Sequence, residues 1–182
     1  MGNRSVSLEV MTVGHSNREL EEFIELLNRH QVRMLADIRT YPNSRRYPHF
    51  SLGNLETSMD DAGIDYQHRP ELGGMRSASE ASENSALSGG FQAVADHLNS
   101  PEGQDALDGL EECIRNQDGD DSTGLMCAEW DPGSCHRSLI ADHLLVRGIR
   151  VVHRIHPNEV REHELHPHAR RKDGRVMYPG LV

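Results

Sequence analysis

The chain is expected to fold as a single three-layer α/β/α domain around a mainly parallel sheet of about five strands. Three observations predict this. Short apolar stretches that suit strands buried on both faces alternate with stretches whose apolar residues recur at helical spacing. Gly and Pro punctuate the joins. Each cluster of polar, chemistry-bearing residues also follows a strand-like stretch, so a parallel sheet would gather them at one edge, where ligands of open α/β sheets bind.

Taken in order, Leu8 to Val13 reads as the first strand, followed by Gly14-His15-Ser16. Ser16 and Glu19 have capping-box spacing, and Leu20, Phe23, Ile24 and Leu27 form the stripe of a first helix. Val32 to Ile38 is a second strand ending in Asp37-Ile38-Arg39. The loop TYPNSRRYPHF follows, with two prolines and Tyr41, Tyr47 and Phe50. Ser51 opens a helix with Leu52, Leu55, Met59 and Ala62 on one side, and Ile64 to Gln67 is a short third strand leaving through His68 to Arg76. Residues 77–90, SASEASENSALSGG, are low-complexity and read as a flexible surface loop. Phe91, Val94, Ala95 and Leu98 form the next helix face, and Ser100-Pro101 starts another with Leu107, Leu110, Cys113 and Ile114 inward. Gly124 to Ala128 is a fourth strand, a helix runs from Ser138 to a stop at Gly148, and Ile149 to Ile155 is a fifth strand.

Composition bounds the rest. The 182 residues suit one domain, expected over 1–156 with a flexible acidic insertion at about 77–121, followed by a solvated His/Arg-rich tail over 157–182. The net charge of −10 comes from residues 80–121, which hold eleven acids against Arg115 alone; elsewhere acids and bases balance. This acidity argues against a broad DNA-coating face. All the basic residues but Lys172 are arginines, which suit bidentate grips on carboxylate or phosphate. There is no apolar run of membrane-spanning length and the N-terminus is polar, so a cytoplasmic protein without a membrane partner is expected. Three cysteines make no disulfide scaffold and point to thiols or ligands.

The chemistry is expected in Leu125 to Leu139, LMCAEWDPGSCHRSL. Cys135, His136 and Arg137 lie where a loop enters the first turn of a helix. Unpaired N–H groups and the positive end of the helix dipole favour an anion or a thiolate there.

The blocks TVGHS, ADIRTYPNSRR, Phe50, GIDY, ELGGMR and CAEWDPGSCHRSLIADHL, running from Thr12 to about Ile155, resemble the signature blocks of the family catalogued as domain of unknown function 488. The resemblance implies a compact α/β domain with no agreed activity. Its motif positions are His15, Arg39, Pro42, Ser44, Arg45, Tyr66, Gly73, Gly74, Arg76, Cys127, Glu129, Cys135, His136 and Arg137. Leu35 to Arg39 is also similar to the strand-end Asp-x-Arg of rhodanese-like sulfurtransferases. Their cysteine and arginine, however, belong to one tight loop, whereas Cys127 stands ten positions before Arg137 and Cys135 only two.

Three functional readings stay open. One is an enzyme acting on a phosphate-bearing or other anionic substrate, such as a nucleotide or a nucleic-acid end. Arg39, Arg45 and Arg137 would clamp the anion, Glu129 would be the base, His136 or His15 the acid, and Cys135 a candidate nucleophile. Ser44, Tyr66, Gly73, Gly74, Arg76 and Cys127 complete that substrate-binding set. The second is a metal site from Cys127, Cys135, His136 and His15. The third is a non-catalytic module that grips a nucleotide, single-stranded nucleic acid or anionic metabolite, with Tyr41, Tyr47, Phe50 or Tyr66 stacking on a base and a redox-responsive Cys127–Cys135 pair.

Overall fold

The structure is a computed structural model that describes residues 8–156 and 158–180. The parallel strands are β1 (Glu9–Gly14), β2 (Val32–Asp37), β3 (Asp65–His68), β4 (Ser122–Cys127) and β5 (Arg150–His156). Antiparallel β6 (Glu159–Glu162) joins them in the order β3-β2-β4-β1-β5-β6. The sheet thus has six strands where about five were expected, and the parallel part agrees with the sequence reading. β4 is the hub. Its six residues are intermediate to buried, and Gly124 lets the side chains of Val32 and Leu35 approach to 3.2 Å of where a Cβ would stand.

Helices cover both faces. α1 (Leu20–Arg29) and α2 (Leu52–Asp61) bury Phe23, Leu26, Leu27, Leu55 and Met59 with Phe50 against one face. α3 (Gly89–Leu98), α4 (Pro101–Arg115) and α5 (Arg137–Val146) bury Val94, Leu98, Leu107, Leu110, Leu139 and Leu144 against the other. Consequently the chain leaves β1 and β2 towards one face and leaves β4, which lies between them, towards the opposite face. The carboxyl end of β4 is therefore a topological switch point, the place where open α/β sheets bind their ligands.

Local details qualify the sequence reading. Ser100 caps α4 as its spacing predicts, accepting from the Gly103 N–H at 3.1 Å. Ser16 makes no cap. It has a positive φ of 44°, its N–H donates to the Ala128 carbonyl at 3.0 Å, and α1 begins after Glu19. Low-complexity stretch 77–90 is pinned: Asn84 is buried, its amide donates to Asp96 at 2.8 Å, and its Oδ1 accepts from the Tyr178 N–H at 2.9 Å.

The expectation of a solvated tail is corrected. β6 extends the sheet, β7 (Arg170–Lys172) and β8 (Arg175–Met177) form a hairpin, and Tyr178 is fully buried with its hydroxyl on Asp142 of α5 at 2.8 Å. Among the described residues no helix is long and apolar enough to cross a membrane.

Candidate functional site

The backbone ladder continues past the strand ends and fixes three loops around β4. The His15 N–H donates to the Cys127 carbonyl at 2.9 Å, and the Ile38 N–H to the Met126 carbonyl at 3.0 Å. Gly14 is obligatory here, since a Cβ would stand 1.8 Å from the Glu129 carbonyl oxygen.

At the end of β4, Cys127, Cys135 and His136 converge, with their ligand atoms all within 4.8 Å of one another. His136 Nδ1 is 3.8 Å from each sulfur. His136 Nε2–H donates to the Ile38 carbonyl at 3.2 Å, which fixes the tautomer and leaves the Nδ1 lone pair facing the thiols. The cysteines are buried and His136 is half-buried. The neighbouring Cys127 thiol, with help from His136 and the Arg137 charge, lowers the Cys135 pKa against the opposing effect of burial. The closeness of Cys135, joined by burial, raises Cys127. A thiolate at Cys135 also receives the Arg137 N–H at 3.5 Å, at the start of α5.

Beside this cluster lies a closed polar network. Buried Asp37 accepts from Arg39 Nε at 2.8 Å and Nη2 at 2.6 Å, and from the Tyr66 hydroxyl at 2.5 Å. Burial opposes the Arg39 charge, but Asp37 more than offsets it and its pKa is raised. Burial and then Asp37 raise Tyr66. Arg39 Nη1–H donates to His15 Nε2 at 3.2 Å, and His15 Nδ1–H donates to the Ser16 carbonyl at 3.0 Å. The imidazole stacks on Phe50 with centroids 4.4 Å apart. Burial, then Arg39, lowers the His15 pKa to about 4. His15 is therefore neutral at neutral pH with both nitrogens engaged.

Other expected ligand contacts turn out to be supports. Arg137 is fully buried and donates to the carbonyls of Glu129 at 2.5 Å and Trp130 at 2.8 Å. It braces the 129–130 loop from within. Arg76 donates to the carbonyls of Pro70, Glu71 and Gly73, and Ser44 accepts from the Tyr47 N–H while its own N–H donates to Ser51 Oγ. Glu129 and Arg45 are exposed. Gly73 and Gly74 permit close approach: a Cβ on Gly73 would lie 2.3 Å from Thr40 Oγ1, and one on Gly74 would lie 2.6 Å from His136 Nδ1.

Sequence reasoning missed a second polar chain. Thr12 Oγ1 donates to His153 Nδ1 at 2.7 Å, His153 Nε2 to His163 Nδ1 at 2.9 Å, and His163 Nε2 to Asp142 Oδ1 at 2.8 Å. His153, His163 and Asp142 line a cavity of about 600 Å³ that also meets Phe91 and Leu139. The partners sit 141, 10 and 21 positions apart, so no local motif announces them. These groups satisfy one another, whereas the Cys–Cys–His cluster gathers three possible ligand atoms within 4.8 Å of one another. The cluster is the better candidate for chemistry.

No curated protein and no solved structure matches the chain. A family model described as domain of unknown function DUF488 matches residues 19–144, so the TVGHS block and the fifth strand lie outside the matched stretch. With more than half its length matched, over a span that includes Asp37, Arg39, Cys127, Cys135 and His136, the chain belongs to the DUF488 family of unknown function.

Proposed function

We propose that the protein is a metalloenzyme whose centre is a zinc-class ion held by Cys127 Sγ, Cys135 Sγ and His136 Nδ1, with a further coordination position turned to the crevice. One observation carries this reading: two sulfurs and one tautomer-locked ring nitrogen share a small volume, with both Sγ–Nδ1 distances at 3.8 Å. Ligands on a tetrahedral zinc lie about 3.5–3.8 Å apart, given metal–sulfur and metal–nitrogen bonds of about 2.3 and 2.0 Å. Thiolate and imidazole donors select borderline-soft ions over magnesium or calcium. The Ile38 carbonyl on Nε2–H supplies the outer hydrogen bond that ligating histidines use. Three protein ligands leave room for water or a substrate oxygen, and the ion would polarise that oxygen. Arg39, tied to Asp37 and His15, is a support beside Ile38, whose carbonyl orients His136.

The favoured thiolate at Cys135 supports a second reading, in which Cys135 itself is the nucleophile and His136 its proton acceptor. Elemental analysis of purified wild type, Cys135→Ser and His136→Ala separates the two. Stoichiometric zinc in wild type and its loss in both variants is expected. Metal-free protein whose Cys135 alkylates far faster than Cys113 would overturn the metal centre in favour of the nucleophile.

A further inference from the structure

We infer that the crevice mouth is a docking lip for single-stranded nucleic acid, which would make an oligonucleotide the substrate class of the metal centre; this rests on the metalloenzyme reading. Between Ile38 and Leu55 the chain has no carboxylate but carries Arg45 and Arg46, next to the buried Arg39 that Asp37 neutralises, in a protein of net charge −10. Arg45 and Arg46 are exposed and form no ion pair among the described residues. Tyr41 and Met75 are 69% and 70% exposed, the two most exposed large apolar side chains described.

Both neighbour residues that adjoin the centre. Gly74 packs on the His136 ring, and the next residue, Met75, donates its N–H to Thr40 Oγ1 at 3.1 Å, beside Tyr41. Arg46 lies over the Tyr47 ring at 5.4 Å, extending the basic and aromatic strip. An exposed aromatic ring, Tyr41, beside two arginines without ion pairs among the described residues is what a single strand needs, because a base stacks while guanidinium groups track phosphates. The acidic body repels the rest of the polymer and confines binding to this strip. A duplex would bring its stacked bases no nearer to Tyr41, so the unpaired strand is favoured.

The test is fluorescence anisotropy with a labelled oligothymidine, run from low to moderate salt on wild type, Tyr41→Ala and the pair Arg45→Ser/Arg46→Ser. These side chains are exposed, and an unchanged melting curve confirms each fold. Salt-dependent wild-type binding is expected, weakened on the order of tenfold by Tyr41→Ala. The arginine pair should make the log–log salt slope shallower by about 0.7 for each phosphate that is no longer neutralised. Absence of wild-type binding at low salt, retention of affinity and slope in the variants, or equal competition by inorganic phosphate would overturn the lip. Cys135→Ser keeps the readings apart: metal-free protein that still binds the oligonucleotide leaves the lip standing, and zinc-loaded wild type that ignores it removes the lip alone.

Discussion

Replacing Gly74 with alanine probes the metal centre without touching a ligand. The new Cβ would stand 2.6 Å from His136 Nδ1, 2.8 Å from Cγ and 3.1 Å from Cε1. Ordinary contact begins near 3.4 Å, so ring and loop must separate by about 0.8 Å (3.4 less 2.6). The loop cannot withdraw freely because the Met75 N–H is bonded to Thr40, so His136 recedes from the sulfurs. Metal–ligand distances tolerate only about 0.2 Å. The expected loss of zinc affinity is about tenfold to hundredfold, or about 1.4–2.7 kcal/mol. Competition against a chromogenic chelator measures it, with thermal melting as the check on folding. Gly53→Ala is the control: nothing lies within 4 Å of its Cβ, and alanine in α2 should stabilise by up to about 1 kcal/mol while leaving zinc untouched. A folded Gly74→Ala protein with wild-type zinc affinity would refute the placement of His136 Nδ1 as a ligand.

Asp37→Ala leaves Arg39 buried without its partner and should cost about 3–5 kcal/mol, lowering Tm by about 6–20 °C; a loss under about 1 kcal/mol would contradict the buried pair. Tyr178→Phe removes one hydrogen bond to buried Asp142 and should cost about 1.5–3 kcal/mol, whereas Tyr178→Ala should cost about 3–5; equal, small effects in urea denaturation would mean the C-terminal stretch does not pack on α5. Burial first, and then Arg39 for His15 or Arg147 for His143, lowers both folded pKa values to about 4 from 6.5. The unfolded chain then binds more protons between those limits, so stability is full above about pH 6.5 and falls towards pH 4, by about 2 kcal/mol for each histidine at pH 5. A urea midpoint that is flat from pH 7 to pH 5 would contradict neutral buried imidazoles.

The parts of the fold legible in the sequence were those whose signal is local. β4 announces itself as an unbroken apolar run, and Ser100-Pro101 carries its capping chemistry within one helical turn. The convergence of Cys127, Cys135 and His136 was legible too, because all belong to one strand–loop–helix unit. What escaped was direction and long-range partnership. Arg137 follows Cys135 and His136 in a motif that reads as an anion grip, yet its guanidinium turns inward to two carbonyls, a choice made by burial rather than by spacing. The Ser16–Glu19 pair has correct spacing, but the Ala128 carbonyl captures the Ser16 N–H and turns that residue left-handed. Glu159–Glu162 and Arg170–Lys172 are exposed throughout, so no apolar alternation marked them as strands.

That exposed character of β6 has its own consequence. The outer rim of the sheet beyond β5 ends in a strand only four residues long, with Glu159, Arg161 and Glu162 pointing into solvent. Such a rim is a poor template for a strand from another molecule, because an incoming chain would have to desolvate alternating charges to gain a few ladder bonds. The segment that closes the fold over Asp142 therefore also acts as a gatekeeper against stacking of copies into fibres, and neutralising its charges would trade solubility for self-assembly.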